Sequence, residues 1–441
     1  MTGTPAAASP DQGATRRRVL ISSTIGSTIE WYDFYLYSTA AALVLGPLFL
    51  PASSPTSSTL AAFGTYAAGF VARPIGGLVA GHFGDRIGRK TLLVATVVLM
   101  GAATVGIGLL PTYAQIGIWA PILLITLRIL QGLAVGGEWG GAVLLAVEHA
   151  PPGRQAFFGS WPQMGFPAGL FLGTVAFSAA ATLPDEQFYA WGWRLPFLVS
   201  VLLVGLGLFI RLRLDDGPAF AHARSRGQLL ENPLLAALRR YPRRIVAGSA
   251  AALGHGTIVT LFTVWLLSVA SGPTGEHRST ALLALMIAAA GQCLSTPAFG
   301  TLCDRIGYRS VMLAGLAAAA IALIPGLLWV PGGSLAAAVV TFLLAMTVGH
   351  GAVYAGIAGL LATSFPTEVR FSAVSTTYQL GSTVSSFVPL VAAALATTTG
   401  GFGVIAAIAL FVAAAAAAAI VVLARSVHST QPAPTGADMD T

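Results

Sequence analysis

Long apolar stretches separated by short polar turns recur along the whole chain. Windows of about 18 or more predominantly apolar residues can each cross a hydrocarbon layer about 30 Å thick. They fall at 19–46, 58–82, 91–110, 116–147, 156–182, 193–211, 244–270, 279–302, 310–329, 334–362, 371–396 and 402–424. Within lipid a helix satisfies its own backbone hydrogen bonds. The pattern therefore predicts an all-α integral membrane protein with twelve transmembrane helices. The seam is polar and Pro-containing, so the predicted organisation is a disordered arm (1–18), a six-helix bundle (19–212), a linker (213–242), a second six-helix bundle (243–425) and a disordered tail (426–441). A short amphipathic helix is expected within the linker at Pro233–Arg240.

The turns carry a repeat. Gly81-His82-Phe83-Gly84-Asp85-Arg86-Ile87-Gly88-Arg89-Lys90 returns in altered form as Gly300-Thr301-Leu302-Cys303-Asp304-Arg305-Ile306-Gly307-Tyr308-Arg309, an offset of 219 residues in a chain of 441. A charged, glycine-punctuated turn repeated at half the chain length indicates two related bundles, and repeats of this kind commonly bind a solute at their interface.

Composition agrees: 55% of residues are hydrophobic, 9% are charged, and the mean hydropathy is +0.79. Soluble domains are roughly 25% charged. The net charge of +7 raises nucleic acid as a partner, but the distribution of the charge excludes it. All but four of the 23 Lys and Arg fall in the N-terminal arm, the even-to-odd connections or the tail; the exceptions are Arg73, Arg128, Arg194 and Arg278. That asymmetry follows the positive-inside rule and puts both termini in the cytoplasm. The first apolar stretch is too long for a cleavable leader and carries two acids. Cys293 and Cys303 lie about 15 Å apart along one predicted helix, too far to bridge.

Charged residues inside apolar windows are the candidate chemistry, because an acid or base at this depth costs several kcal/mol unless paired, neutralised or hydrated. Glu30, Asp33 and Tyr37 share one face of the first span at i, i+3 and i+7. Desolvation and a like-charged neighbour both penalise a second negative charge, so one of the two acids is a candidate proton carrier. Arg128 lies about 16 Å deep in span four, level with Glu30, and Gln131 follows one turn on. Arg73 sits in span two with Tyr66 on the same face. A guanidinium keeps its proton, so Arg73 needs an anion: either a substrate carboxylate or Glu138, whose glycine-rich surroundings allow close helix approach. Arg194 opens span six between Trp191, Trp193 and Pro196, either gathering substrate or reaching to the interface. In the second half His255 is mid-span and a reserve proton carrier. His350 and Tyr354 share a face, and Tyr378 occupies span eleven. At the inner surface Asp85, Arg86, Arg89, Glu138, Glu148, Asp304 and Arg305 are candidate gating residues. No Gly-Lys-Ser/Thr loop, His-Glu-x-x-His, Gly-x-Ser-x-Gly or metal-ligand spacing is present, so ATP hydrolysis of the phosphate-loop type and enzymatic catalysis are not expected.

Taken together, these residues resemble a known family. Gly81–Lys90 is similar to the loop signature of the major facilitator superfamily, and Arg128-Ile129-Leu130-Gln131-Gly132 to its span-four motif. Ile29-Glu30-Trp31-Tyr32-Asp33-Phe34, Gly136-Gly137-Glu138, Trp191-Gly192-Trp193-Arg194-Leu195-Pro196-Phe197 and Phe365-Pro366-Thr367-Glu368-Val369-Arg370 resemble its metabolite:proton symporter branch, carriers of proline and betaine, 2-oxoglutarate, citrate or shikimate. The resemblance covers about residues 19–424. It implies a major facilitator fold and a monomeric multi-pass protein of a bacterial inner membrane. It also implies symport of an organic acid or zwitterion driven by the proton gradient, with no cofactor and with protons, a small metabolite and the bilayer as partners. An exporter on the same fold, or a nutrient sensor that moves nothing, are the alternatives. The second signature has Cys303 and Tyr308 where small and basic residues are usual, which implies a weaker inner latch there.

Overall fold

The structure is a computed structural model that describes residues 10–50, 55–87, 89–136, 138–212, 233–271, 277–328, 334–366, 369–397 and 401–428. Within these, the side chains of 10–15, 18, 55–56, 78–93, 210–212, 233 and 426–428 fall outside the description. No strand occurs among the described residues. The first half contains α1 (Pro10–Leu43), α2 (Pro55–Ile87), α3 (Arg89–Leu109), α4 (Trp119–Val135), α5 (Glu138–Glu148), α6 (Gln155–Gln163), α7 (Gly165–Ala180) and α8 (Leu195–Leu212). The predicted linker helix follows as α9 (Pro233–Arg240). The second half contains α10 (Pro242–Thr260), α11 (Arg278–Ile306), α12 (Tyr308–Leu328), α13 (Leu335–Phe342), α14 (Gly351–Ser364), α15 (Arg370–Ser385), α16 (Val388–Ala396) and α17 (Gly401–His428).

Eight helices among the described residues, counted through their turns, are long and apolar enough to cross a membrane: Trp119–Glu148, Gly192–Phe209, Pro242–Ala270, Arg278–Ile306, Tyr308–Leu328, Leu335–Ser364, Arg370–Ala396 and Gly401–Arg425. The other four predicted stretches are helical too, in α1, α2, α3 and α6–α7. Polar groups dilute α1, which also begins at Pro10, inside the arm expected to be disordered. α6 breaks from α7 at Met164, between Pro162 and Pro167, where proline removes a backbone donor and crowds the preceding turn. Two helices widen locally: a π turn, Leu261–Leu266, continues α10 to Ala270, and another, Leu343–His350, joins α13 to α14.

The repeat is visible in the packing. In the first half α1 packs along α7, α2 against α4, and α3 against α8. In the second half the equivalent neighbours are α10 with α15, α11 with the π turn before α14, and α12 with α17. The halves then meet through α11 against α6 and α7, and through α15 against α2. Polar contacts cross this boundary: Gln379 donates to the Gly136 carbonyl (3.0 Å), Thr383 to that of Phe70 (3.1 Å), and Gln163 to that of Tyr354 (3.1 Å).

The closest helix pair for function is α2 with α4. Glycine makes it possible, because small residues are what lets backbones approach in lipid. A Cβ added at Gly132 would collide with the Gly69 carbonyl, and one at Gly136 with the carbonyl of Arg73. This approach brings Arg73 and Arg128 onto one wall. Gly132→Leu is expected to lower the stability of the purified protein by about 1–3 kcal/mol through overpacking. Gly205→Leu, at a position with nothing within 4 Å, serves as the control. Equal thermal-unfolding midpoints for the two variants would refute the backbone-contact account.

Candidate substrate and proton site

Between α1, α2, α3 and α4 lies a narrow crevice of about 10 Å³, room for about one water molecule. Glu30, Asp33, Phe34, Gly69, Arg73, Met100, Arg128, Gln131, Gly132 and Val135 line it. The charged residues singled out from α1, α2 and α4 are thus brought together, and all are buried.

Each has a distinct set of neighbours. Arg128 donates through Nη1 to Gln131 Oε1 (3.1 Å), and Gln131 Nε2 in turn donates to Thr104 Oγ1 (2.6 Å). Thr104 Oγ1 lies beside Asp33 and is placed to donate to the Met100 carbonyl (3.0 Å). Both carboxylate oxygens of Asp33 are buried with no hydrogen-bond partner in the protein. Arg128 Nε and Nη2 are likewise buried and unpartnered. Its guanidinium lies 4.5 Å from the Phe34 ring centre and 4.2 Å from that of Tyr37, whose hydroxyl donates to Thr65. Arg73 rests 4.5 Å from the Phe34 ring and 4.4 Å from Phe70, within the electrostatic reach of Glu30. Its acidic neighbour in the crevice is therefore Glu30. Glu138, the alternative partner, is half-buried at the start of α5 and outside the crevice lining. Tyr66 stands 5.5 Å from Arg128 with its hydroxyl buried and unpartnered.

The second-half candidates form a separate cluster. Gln292 Nε2 donates to His350 Nδ1 (2.6 Å), His350 Nε2 pairs with His255 Nδ1 (2.7 Å), and His255 Nε2 with the Tyr378 hydroxyl (3.2 Å). With Gln292 assigned as donor, the pattern is satisfied by two neutral rings, each donating once and accepting once. Both nitrogens of His255 are thus engaged. Tyr354 stacks on His255 at 4.6 Å, and Tyr378 stacks on Trp139 of the first half at 3.5 Å. Phe166 meets His350 at 4.5 Å. Gln292, Thr104, Trp139 and Phe166 were not singled out from the sequence. Gln292 and Thr104 had a signal, being isolated polar residues in apolar stretches; the two aromatics had none.

Arg194 is not brought to either cluster. Its Nη1 donates to the carbonyls of Gly108 (2.9 Å) and Leu110 (2.6 Å). It closes the carbonyl end of α3, a favourable place for a cation. Of the inner gating candidates, the side chains of Asp85, Arg86 and Arg89 lie outside the described residues. Glu148 and Arg305 are exposed. Asp304 makes the described latch: its two oxygens accept from the backbone N–H of Ala156 and Phe157 at 2.8 Å each, capping α6 of the other half. The altered second copy of the turn therefore supplies a contact between the halves at this end. At the other end Arg278 pairs with Asp185 at 3.0 Å and packs 4.2 Å over Phe188. Both cysteines are free.

The family model for sugar (and other) transporters matches residues 19–240, just over half of the chain. The chain belongs to this transporter family. It is similar to an inner membrane metabolite transport protein of Escherichia coli K12, at 42% identity over 87% of this chain and 88% of that one. The shikimate transporter of the same organism is 38% identical over 88% and 90%, and its proline/betaine transporter 31% identical over 86% and 77%. A solved proton:xylose symporter of the major facilitator superfamily, bound to 6-bromo-6-deoxy-D-glucose, superposes with a TM-score of 0.72 over 96% of this chain and 97% of that one. At 16% identity it shares the fold alone. The transporter is thus a multi-pass membrane protein whose relatives are carriers and not enzymes.

Two outcomes follow from the local geometry. Arg194→Gln is expected to lower the thermal stability of the transporter by about 1–2 kcal/mol, the range for a lost terminal cation and its hydrogen bonds. Its substrate affinity should stay unchanged; lost affinity at unchanged stability would restore the gathering role. Asp304→Asn should weaken this contact between the halves by about 1–2 kcal/mol, about 5- to 30-fold. Labelling of a Ser160→Cys probe by a polar thiol reagent, in a background without native cysteines, should rise accordingly.

Proposed function

We propose that the transporter imports a small carboxylate-bearing metabolite, an organic acid or a zwitterion, by symport with protons. It works as a monomer by alternating access between two six-helix bundles, with twelve spans and both termini in the cytoplasm. The observation that carries this reading is Asp33: a buried acid with two unpartnered oxygens, in one crevice with two buried guanidiniums. Such a group is a proton acceptor, and the neighbouring cations are carboxylate acceptors. The metabolite, shikimate and proline/betaine carriers among its relatives support a carboxylate-bearing solute.

The steps then follow from the residues. With the outer pair Arg278–Asp185 parted and the Asp304 cap closed, a proton from outside reaches Asp33 and the solute carboxylate reaches Arg128 or Arg73. Aromatic contacts across the boundary, Trp139 on Tyr378 and Phe166 on His350, close around the loaded centre. Release of Asp304 from α6 opens the inner side, where proton and solute leave. Glu30 stays beside Arg73 and keeps that cation compensated in both states. The closed hydrogen-bond chain through His255 and His350 supports Asp33, rather than His255, as the coupling acid.

In proteoliposomes, solute accumulation should require an acidic exterior; accumulation requiring an acidic interior would instead identify an exporter. Asp33→Asn should abolish uptake driven by the pH difference while solute counterflow persists. Equal loss of both in a correctly folded variant would remove Asp33 from the coupling role.

A further inference from the structure

The charges around the crevice can be balanced group by group. From α1 come Glu30 and Asp33, with the phenol of Tyr37; from α2 come Arg73 and the phenol of Tyr66; from α4 come Arg128 and the neutral Gln131. α3 contributes the neutral Thr104 and Met100. Among the described residues of the second half, the phenols of Tyr354 and Tyr378 act on Arg73, while His255 and His350 are spent on their own chain. With both acids ionised, two positive groups face two negative ones. A proton on Asp33 leaves one positive charge in excess.

The free part of that excess has a defined shape. Arg128 gives Nη1 to Gln131, and its unpartnered atoms are Nε and Nη2. Those two N–H groups point the same way from the guanidinium plane and form the side-on fork that matches the two oxygens of one carboxylate. Gly69 lets the Arg128 side chain pack against the α2 backbone, since a Cβ there would stand 2.5 Å from Arg128 Nε, and the fork itself is buried.

We propose that this crevice admits one monoanionic carboxylate together with one proton, so that the loaded site carries no net charge. The proposal rests on the symport reading above and narrows its substrate class. The proton passes from outside water to an Asp33 oxygen, and the anion closes on the Arg128 fork. A zwitterion would balance only the unprotonated site and so would enter without the proton, and a dianion would leave the protonated site one negative charge in excess. An uncompensated charge in a sealed low-dielectric site costs several kcal/mol, so net charge selects which solute enters with the proton. A monoanion on the unprotonated site is disfavoured for the same reason, which makes proton and anion enter together. Each turnover then moves no net charge across the membrane, and the pH difference alone drives accumulation.

The purified transporter in weakly buffered solution is mixed with shikimate, benzoate or lactate as monoanions, glycine betaine as zwitterion, and malate as dianion, while a pH dye follows protons. A monoanion is expected to bind with uptake of about one proton, and its affinity to fall about tenfold per pH unit on the alkaline limb. In Asp33→Asn that binding should persist without proton uptake and without the pH dependence. In proteoliposomes, uptake of the bound monoanion under a pH gradient should carry no current. Proton uptake on binding betaine, tighter binding of malate, monoanion binding by the wild type without proton uptake, or a current during uptake each overturns the proposal. Counterflow separates it from the transport reading. Monoanion binding with proton uptake but no counterflow upholds the neutral site and sinks transport; counterflow without proton uptake upholds transport and sinks the neutral site.

Discussion

A guanidinium cannot shed its proton, and this molecule buries two of them side by side. The rest of the first half follows from that constraint. Two acids must come from the facing helix, which is why Glu30 and Asp33 share a face of α1. The rings of Phe34, Tyr37 and Phe70 are placed against the cations, where their negative faces compensate part of the lost hydration. The glycines of α2 and α4 bring the cation-bearing backbones together, because any larger residue would hold them apart. Even the orientation of Gln131 is set from outside, with Thr104 taking its amide N–H and leaving its carbonyl for Arg128.

The two halves share a pairing scheme but spend their interiors differently. The first holds formal charges; the second holds a neutral chain, Gln292, His350, His255 and Tyr378, that uses every ring nitrogen. Such a chain positions the Tyr378 hydroxyl and ring without adding charge to the centre. The π turns Leu261–Leu266 and Leu343–His350 bracket this cluster, and an extra residue in a turn rotates the faces on either side, a device often found near functional residues.

Much of this was legible in the sequence. The spans are visible because lipid demands long apolar windows, and Glu30, Asp33, Arg73, Arg128 and Gln131 stand out because polarity within such a window is costly. Hydropathy could not say which nitrogens of Arg128 stay free, since that depends on a hydrogen bond to one neighbour. Nor could it show that Arg194 is spent on the carbonyls of Gly108 and Leu110, because a cation at a span end looks the same whether it faces solute, lipid headgroup or a helix terminus. Trp139 and Phe166 were hidden for a simpler reason: in an apolar chain, an aromatic at the functional centre has the same pattern as one facing acyl chains.

The Asp304 latch takes its hydrogen bonds through one side chain, with the Arg154 cation of the other half within electrostatic reach. Its partners are the backbone N–H groups of Ala156 and Phe157, which any sequence able to start a helix there would supply. The capped face of α6 is therefore free to drift without loosening the joint, and no compensating change is needed when it does. Natural variation can tune this contact through the charges at Asp304 and Arg154, while the outer pair, Arg278 with Asp185, exposes two positions to change. The same carrier thus has one end whose hydrogen bonds need a single side chain and one end whose hydrogen bond needs a side chain from each half.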